Sequence, residues 1–281
     1  MFSFVLLSVL FASAVIAAPS SSPSSLNSTF ADAQAQKVAQ LRLAPTQVDR
    51  INVLSDEDLV FSFSNPSTPV GTVTGAGGHA VLGISGNFPA VVGNSISMIV
   101  GHLAPCGMNT PHTHPRAAEI LYSVNASLVS GFIMEDGAPY REVNISAGSA
   151  TVYPMGAVHF QMNPTCEPAM FVSGLNSEDP GAQEAAQRFF GLPPSIVGAT
   201  LGGLDVQDVA EIATFIPDSF ADGVNACLAR CGIQRGSQPT AQQEPRVSAN
   251  ALPTGVAASA STAIATATGN ATSAAATSTA A

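Results

Sequence analysis

Six short β-prone runs, at 80–84, 95–100, 119–124, 128–134, 150–153 and 169–173, are separated by turn residues. Runs this short bury little on their own and are stable only when layered, so they predict an all-β body, a sandwich or barrel of antiparallel sheets. After Asn176 the pattern becomes helical. Gly191 closes a run at 182–190, and Asp205 can cap a second at 206–214. Asp218 or Ser219 opens a third that ends at Arg230 or Cys231, before Gly232. The predicted outline is a β-barrel body at 45–200 with a C-terminal α-helical appendage at 201–237.

The flanks differ in composition. Residues 1–17 carry an apolar run from Phe4 to Leu10 followed by small residues, which reads as a secretory signal peptide cut after Ala17. That run falls short of the roughly 20 residues a membrane helix needs, and no later segment predicts a span. Residues 18–44 read as an N-terminal linker, Ser/Pro/Asn-rich at first. Residues 238–281 are dominated by Ala, Ser and Thr and read as a disordered, mucin-like tail. Its end lacks the hydrophobic stretch of a lipid-anchor signal. The expected setting is extracellular, with cell-wall association as an option.

In that setting Cys106, Cys166, Cys227 and Cys231 form an even set that an oxidising compartment pairs, in one of three connectivities. Acceptor sequons at Asn27, Asn125, Asn144 and Asn270 predict N-glycans, whereas Asn65 and Asn163 precede Pro. The net charge is −10 and Lys37 is the single lysine, so no basic patch exists to collect nucleic acid or an anionic membrane.

The informative chemistry lies between Cys106 and Asn163. His112 and His114 stand two apart, which on an extended strand puts both imidazoles on one face. Pro115 breaks that strand, and Glu119 begins the next and can return a carboxylate to the same interior. Downstream, Pro154-Met155-Gly156 turns the chain into His159. Three imidazoles and a carboxylate suit a divalent transition metal with positions left open for water, dioxygen or a substrate oxygen. Mixed N/O ligation favours Mn(II) or Fe(II), and ligand type alone is also compatible with Zn(II) or Cu(II). The competing reading is a set of hydrogen-bonded interior histidines.

These two stretches resemble the paired motifs of the cupin superfamily. His112-Thr113-His114-Pro115-Arg116-Ala117-Ala118-Glu119 is similar to the germins and germin-like proteins, including secreted spherulin-type members. Gly148, Pro154, Gly156, His159 and Asn163 match the second motif. The first motif has Cys106 and Ala126 where its leading and closing glycines usually stand. The resemblance implies a jelly-roll β-barrel with His112, His114, Glu119 and His159 as metal ligands and Mn(II) as the metal. It also implies a homo-oligomer in which C-terminal helices clasp neighbouring subunits. Some members are oxalate oxidases, others dismutate superoxide, and many have no assigned reaction, so the partner expected is a small anion such as oxalate or superoxide. Oxalate oxidases use two asparagines at the substrate position; Asn109 matches one as a catalytic-site residue, and Ile99 stands at the other. An apolar side chain there cannot hydrogen-bond an oxalate oxygen.

In the implied barrel the strand of His112 runs antiparallel beside that of His159, and Cys106 and Cys166 fit the same register. That predicts a Cys106–Cys166 bridge, leaving Cys227 and Cys231 as an i,i+4 pair within disulfide reach of each other. His79 and His102 read as surface or hydrogen-bonded histidines, Arg116 as a salt-bridge residue, and Phe160 and Met162 as core packing. Motifs for serine hydrolases, zinc proteases and nucleotide binding are missing. Two functions fit the residues: a secreted metal-binding protein without catalysis, or a Mn-dependent oxidoreductase.

Overall fold

The computed structural model describes residues 25–64, 70–217 and 219–236, with side chains from residue 33 onward. The strands are β1 (Thr72–Gly75), β2 (Gly78–Gly83), β3 (Ser97–Leu103), β4 (Gly107–Thr113), β5 (Glu119–Ser123), β6 (Leu128–Ile133), β7 (Arg141–Ile145), β8 (Ala150–Tyr153), β9 (Val158–Met162), β10 (Ala169–Leu175), β11 (Gln183–Glu184) and β12 (Phe220–Asp222). The helices are α1 (Ser25–Leu43), α2 (Gln47–Val53), α3 (Ala185–Phe189), α4 (Pro194–Thr200), α5 (Val206–Ala213) and α6 (Asn225–Arg230).

All strand pairs are antiparallel. One sheet has the order β1-β2-β3-β10-β5-β8; the other runs β11-β4-β9-β6-β7, with β12 also on β4. Alternation decides which residues face inward. On β10, Ala169, Phe171, Ser173 and Leu175 are buried while the residues between them are half-exposed. Leu121, Phe171 and Leu175 of one sheet meet Leu128 and Ile145 of the other in a shared core, which makes the body a two-sheet jelly roll. The six runs read as strands lie on β2, β3, β5, β6, β8 and β10.

Tertiary contacts override the local pattern at three places. The run read as helical at 182–190 opens as β11 on the edge of β4 and is helical only over Ala185–Phe189. The last helix begins only at Asn225, because Phe220–Asp222 form a strand on the free edge of β4. An open edge takes up backbone partners that a short helix would keep to itself. At the other end, the stretch read as a linker at 18–44 is helical over Ser25–Leu43. Leu41 is fully buried, and Lys37 Nζ lies 2.5 Å from Asp58 and Arg42 3.4 Å from Glu178. A single buried leucine and two ion pairs leave no periodic pattern to read. The expected signal peptide at 1–17 and the tail at 238–281 with Asn270 lie outside the described residues, and Asn27 precedes the described side chains.

The disulfides overturn the expected pairing. Cys106 is bonded to Cys227 and Cys166 to Cys231. The register argument placed the backbones well, since Cys106 N–H donates to the Thr165 carbonyl at 3.0 Å. It missed side-chain direction. Cys106 has φ +55, in the left-handed region where glycine is favoured, and this turns its Sγ toward α6. Cys227 on α6 and Cys231 just past its end therefore bond separately, one to the residue before β4 and the other to the loop between β9 and β10. The left-handed backbone also explains why a glycine commonly occupies this position. Peptide mapping of the unreduced protein is expected to recover Cys106–Cys227 and Cys166–Cys231 peptides; a Cys106–Cys166 peptide would contradict the fold at this end.

Candidate metal centre

Adjacent strands and a return from the facing sheet assemble the predicted ligands. His112 on β4 is the register partner of His159 on β9, and His114 follows one residue past the end of β4. Glu119, the first residue of β5, crosses from the opposite sheet. All four are at most 5% exposed, and their ligand atoms lie within 4.8 Å of one another.

Each imidazole is held by its other nitrogen. His112 Nδ1 lies 2.8 Å from the Thr110 carbonyl, His114 Nδ1 2.5 Å from that of Gly181, and His159 Nδ1 2.9 Å from that of Ala157. A carbonyl only accepts, so each Nδ1 carries a proton and each Nε2 faces the centre, where the neutral ring presents a lone pair. Gly181 is at φ +69 and a side chain there would strike Arg116 Nη2 at 2.9 Å, so glycine is what lets this loop reach His114.

The Nε2 atoms of His114 and His159 lie 2.9 and 3.2 Å from Glu119 Oε2. His114 Nε2 is nevertheless a buried atom without a well-formed hydrogen bond. Lone pairs facing a carboxylate oxygen at that distance repel unless a proton or a metal cation lies among them. The donor set therefore fits a metal. Burial would raise the Glu119 carboxyl, but the His114 and His159 contacts outweigh it and hold it well below the usual range. Burial, reinforced by His159 and His114, keeps the His112 imidazolium well below its ordinary pKa. Burial also disfavours the charged form of His114, but the Glu119 contact prevails and raises it. Glu119 is thus ionised and His112 neutral, the protonation states that ligation requires.

Further contacts fix these groups. Ser173 Oγ donates to Glu119 Oε1 at 2.6 Å. The Tyr153 ring stacks on His159 at 4.2 Å, and its hydroxyl hydrogen-bonds Ser130 Oγ at 2.6 Å. Burial pushes the Tyr153 phenol up to about 12, so it stays neutral beside the ligands. Asn163, the last residue of the second motif, donates to the Ala104 and Glu167 carbonyls and accepts from Thr165, which ties the end of β9 to the start of β4.

Asn109 also reaches the interior. Three residues before His112 it should face the other way, but the register shifts between Asn109 and His112 and returns it to the ligand side. Its Nδ2 donates to Gln161 Oε1 at 3.0 Å. Gln161 is fully buried, and its Nε2 makes no well-formed hydrogen bond although it lies beside the Tyr153 hydroxyl. Gln161 was missed from the sequence; strand alternation two residues after His159 was the available signal. Ile99 sits in the apolar core of the facing sheet. Arg116 pairs with Asp179 at 3.0 Å, away from the ligands, and His79 and His102 stack together elsewhere.

The cupin family profile matches residues 63–202. Spherulin-1A of Physarum polycephalum is 44% identical over 201 residues, covering 72% of this chain and 81% of its own. The chain belongs to the germin-like, spherulin-type cupins. Germin-like protein 1-1 of Oryza sativa subsp. japonica is 32% identical, covering 58% of this chain and 74% of its own. Among solved structures, a recombinant oxalate oxidase in complex with glycolate is 27% identical with a TM-score of 0.50, covering 58% of this chain and 82% of that one.

In this cupin Ser173 touches the Glu119 carboxylate at Oε1, whereas Oε2 faces the His114 and His159 rings. Ser173→Ala is expected to keep the fold and weaken divalent-metal binding at this centre by about tenfold, as loss of a hydrogen bond to a ligating carboxylate does. Competition with a fluorescent chelator measures this, and unchanged affinity would show that Glu119 is oriented without Ser173.

Proposed function

We propose that this germin-like cupin is a secreted, manganese-binding protein that acts outside the cell, in or near the wall. The observation that carries the reading is the buried set of three Nε2 lone pairs and one ionised carboxylate aimed at a single point. Nitrogen and oxygen donors without a thiolate suit Mn(II), and all four cysteines are consumed in disulfides. Two disulfides, the apolar N-terminal run and exposed sequon residues Asn125 and Asn144 support the extracellular setting and glycosylation. Ile196, Val206, Ile212 and Phe215 are exposed on or beside α4 and α5, which supports a homo-oligomer docked through these helices.

A second reading, a Mn-dependent oxidoreductase acting on oxalate or superoxide, is favoured by Asn109 and Gln161. When bound, the metal would supply open coordination positions and a redox centre. The chain's own part is positioning. The Gln161 amide presents an unused donor, Asn109 holds that amide's orientation, and the two sheets exclude water. The likeness to an oxalate oxidase supports the oxalate form, while Ile99 removes one donor that oxalate would use.

Elemental analysis of the secreted protein is expected to find about one manganese per chain, lost in a His112→Ala/His114→Ala variant. Retention of manganese by that variant would refute the ligand assignment. The same preparations assayed for peroxide from oxalate and for superoxide loss decide the second reading. Activity that disappears in His112→Ala supports it; none from fully metallated protein removes it and leaves the first.

A further inference from the structure

His79 and His102 take no part in the inner centre, yet they stand directly opposite each other on β2 and β3. Their rings are stacked, with centroids 4.7 Å apart and planes at 18°. The row continues on both sides: Met170 of β10 is the register partner of His102, and Thr74 of β1 that of His79. Leu103, Gly101, Ala169 and Phe171 alternate with these residues and are buried, so His102 and Met170 project from the outer face. His79 projects beside them and is exposed. Paired strands lie about 4.8 Å apart, so two imidazoles and a thioether form one short row on solvent.

We propose that His79, His102 and Met170 form a second metal site, separate from the buried centre, and that copper is the ion it takes. Two imidazoles bind most late first-row metals, and a thioether beside them selects Cu(I) over Zn(II) or Mn(II). Cross-strand register already sets the spacing, so turning the two rings is enough to bring one nitrogen of each to about 2.0–2.1 Å from a shared ion. The row contains no charged residue. Burial, and then the neighbouring His79, lower the pKa of His102, which leaves its ring neutral and able to ligate.

The test is a Cu(I) titration against a chromophoric chelator, with ascorbate as reductant so that the disulfides stay closed. It is run on protein whose inner centre holds manganese, and again in the His112→Ala/His114→Ala background. The expected result is one Cu(I) per chain in both, with manganese undisturbed in the first. His79→Ala and His102→Ala each reduce the affinity by about a hundredfold, since a chelate becomes a single ligand. Neither changes the manganese content or the melting temperature. Met170→Leu weakens Cu(I) binding several-fold and leaves Cu(II) binding as it was. Absence of copper in the double-variant background, or a Cu(I) affinity in His79→Ala or His102→Ala unchanged from that of the parent protein, would overturn the site. Cu(I) binding unaffected by Met170→Leu would overturn the choice of copper.

Discussion

Three nitrogen lone pairs and a carboxylate oxygen, buried within a few ångströms of one another, are the interaction on which the rest of the structure depends. Left to themselves these groups repel, and burial removes the water that would screen them. The arrangement is stable when a cation lies among them. Each imidazole is committed to this role by the carbonyl that accepts from its Nδ1, so the polarity of the centre is set by backbone and not by side-chain choice. The lowered carboxyl of Glu119 and the lowered imidazolium of His112 follow from the same arrangement.

Aiming those groups requires much of the fold. β4 and β9 must be neighbours for His112 and His159 to face each other, and the loop that leads to β11 must return to hold His114. Because Glu119 comes from the facing sheet, the centre also ties the two layers together. The opposite end of β4 is secured by other means. The left-handed backbone at Cys106 costs on the order of 1–2 kcal/mol, and its bond to Cys227 retains it. β12 and α6 thereby close the strand that carries the ligands.

The convergence of the four candidate ligands was legible because they lie within a short stretch and obey strand alternation. His112 and His114 share a face by spacing alone, and the turn before His159 is written in Pro154 and Gly156. Asn109 was reached through resemblance, since a bulge invisible in the sequence places it on the ligand side. Gln161 obeys alternation and was readable, but a glutamine between apolar residues draws no notice until its buried amide is seen. Side-chain direction at Cys106 was beyond register reasoning, which locates Cα atoms and says nothing of a positive φ. The docking of α1 rests on Leu41 and two ion pairs between segments far apart in sequence. β12 appears where local helical preference lost to an open strand edge.

Anomalous diffraction from crystals of the manganese-loaded protein tests the central claim most directly. The account predicts a strong manganese peak bounded by Nε2 of His112, His114 and His159 and the Glu119 carboxylate, with every Nδ1 still on its carbonyl. A site without density under full metal load, or rings turned to ligate through Nδ1, would contradict it.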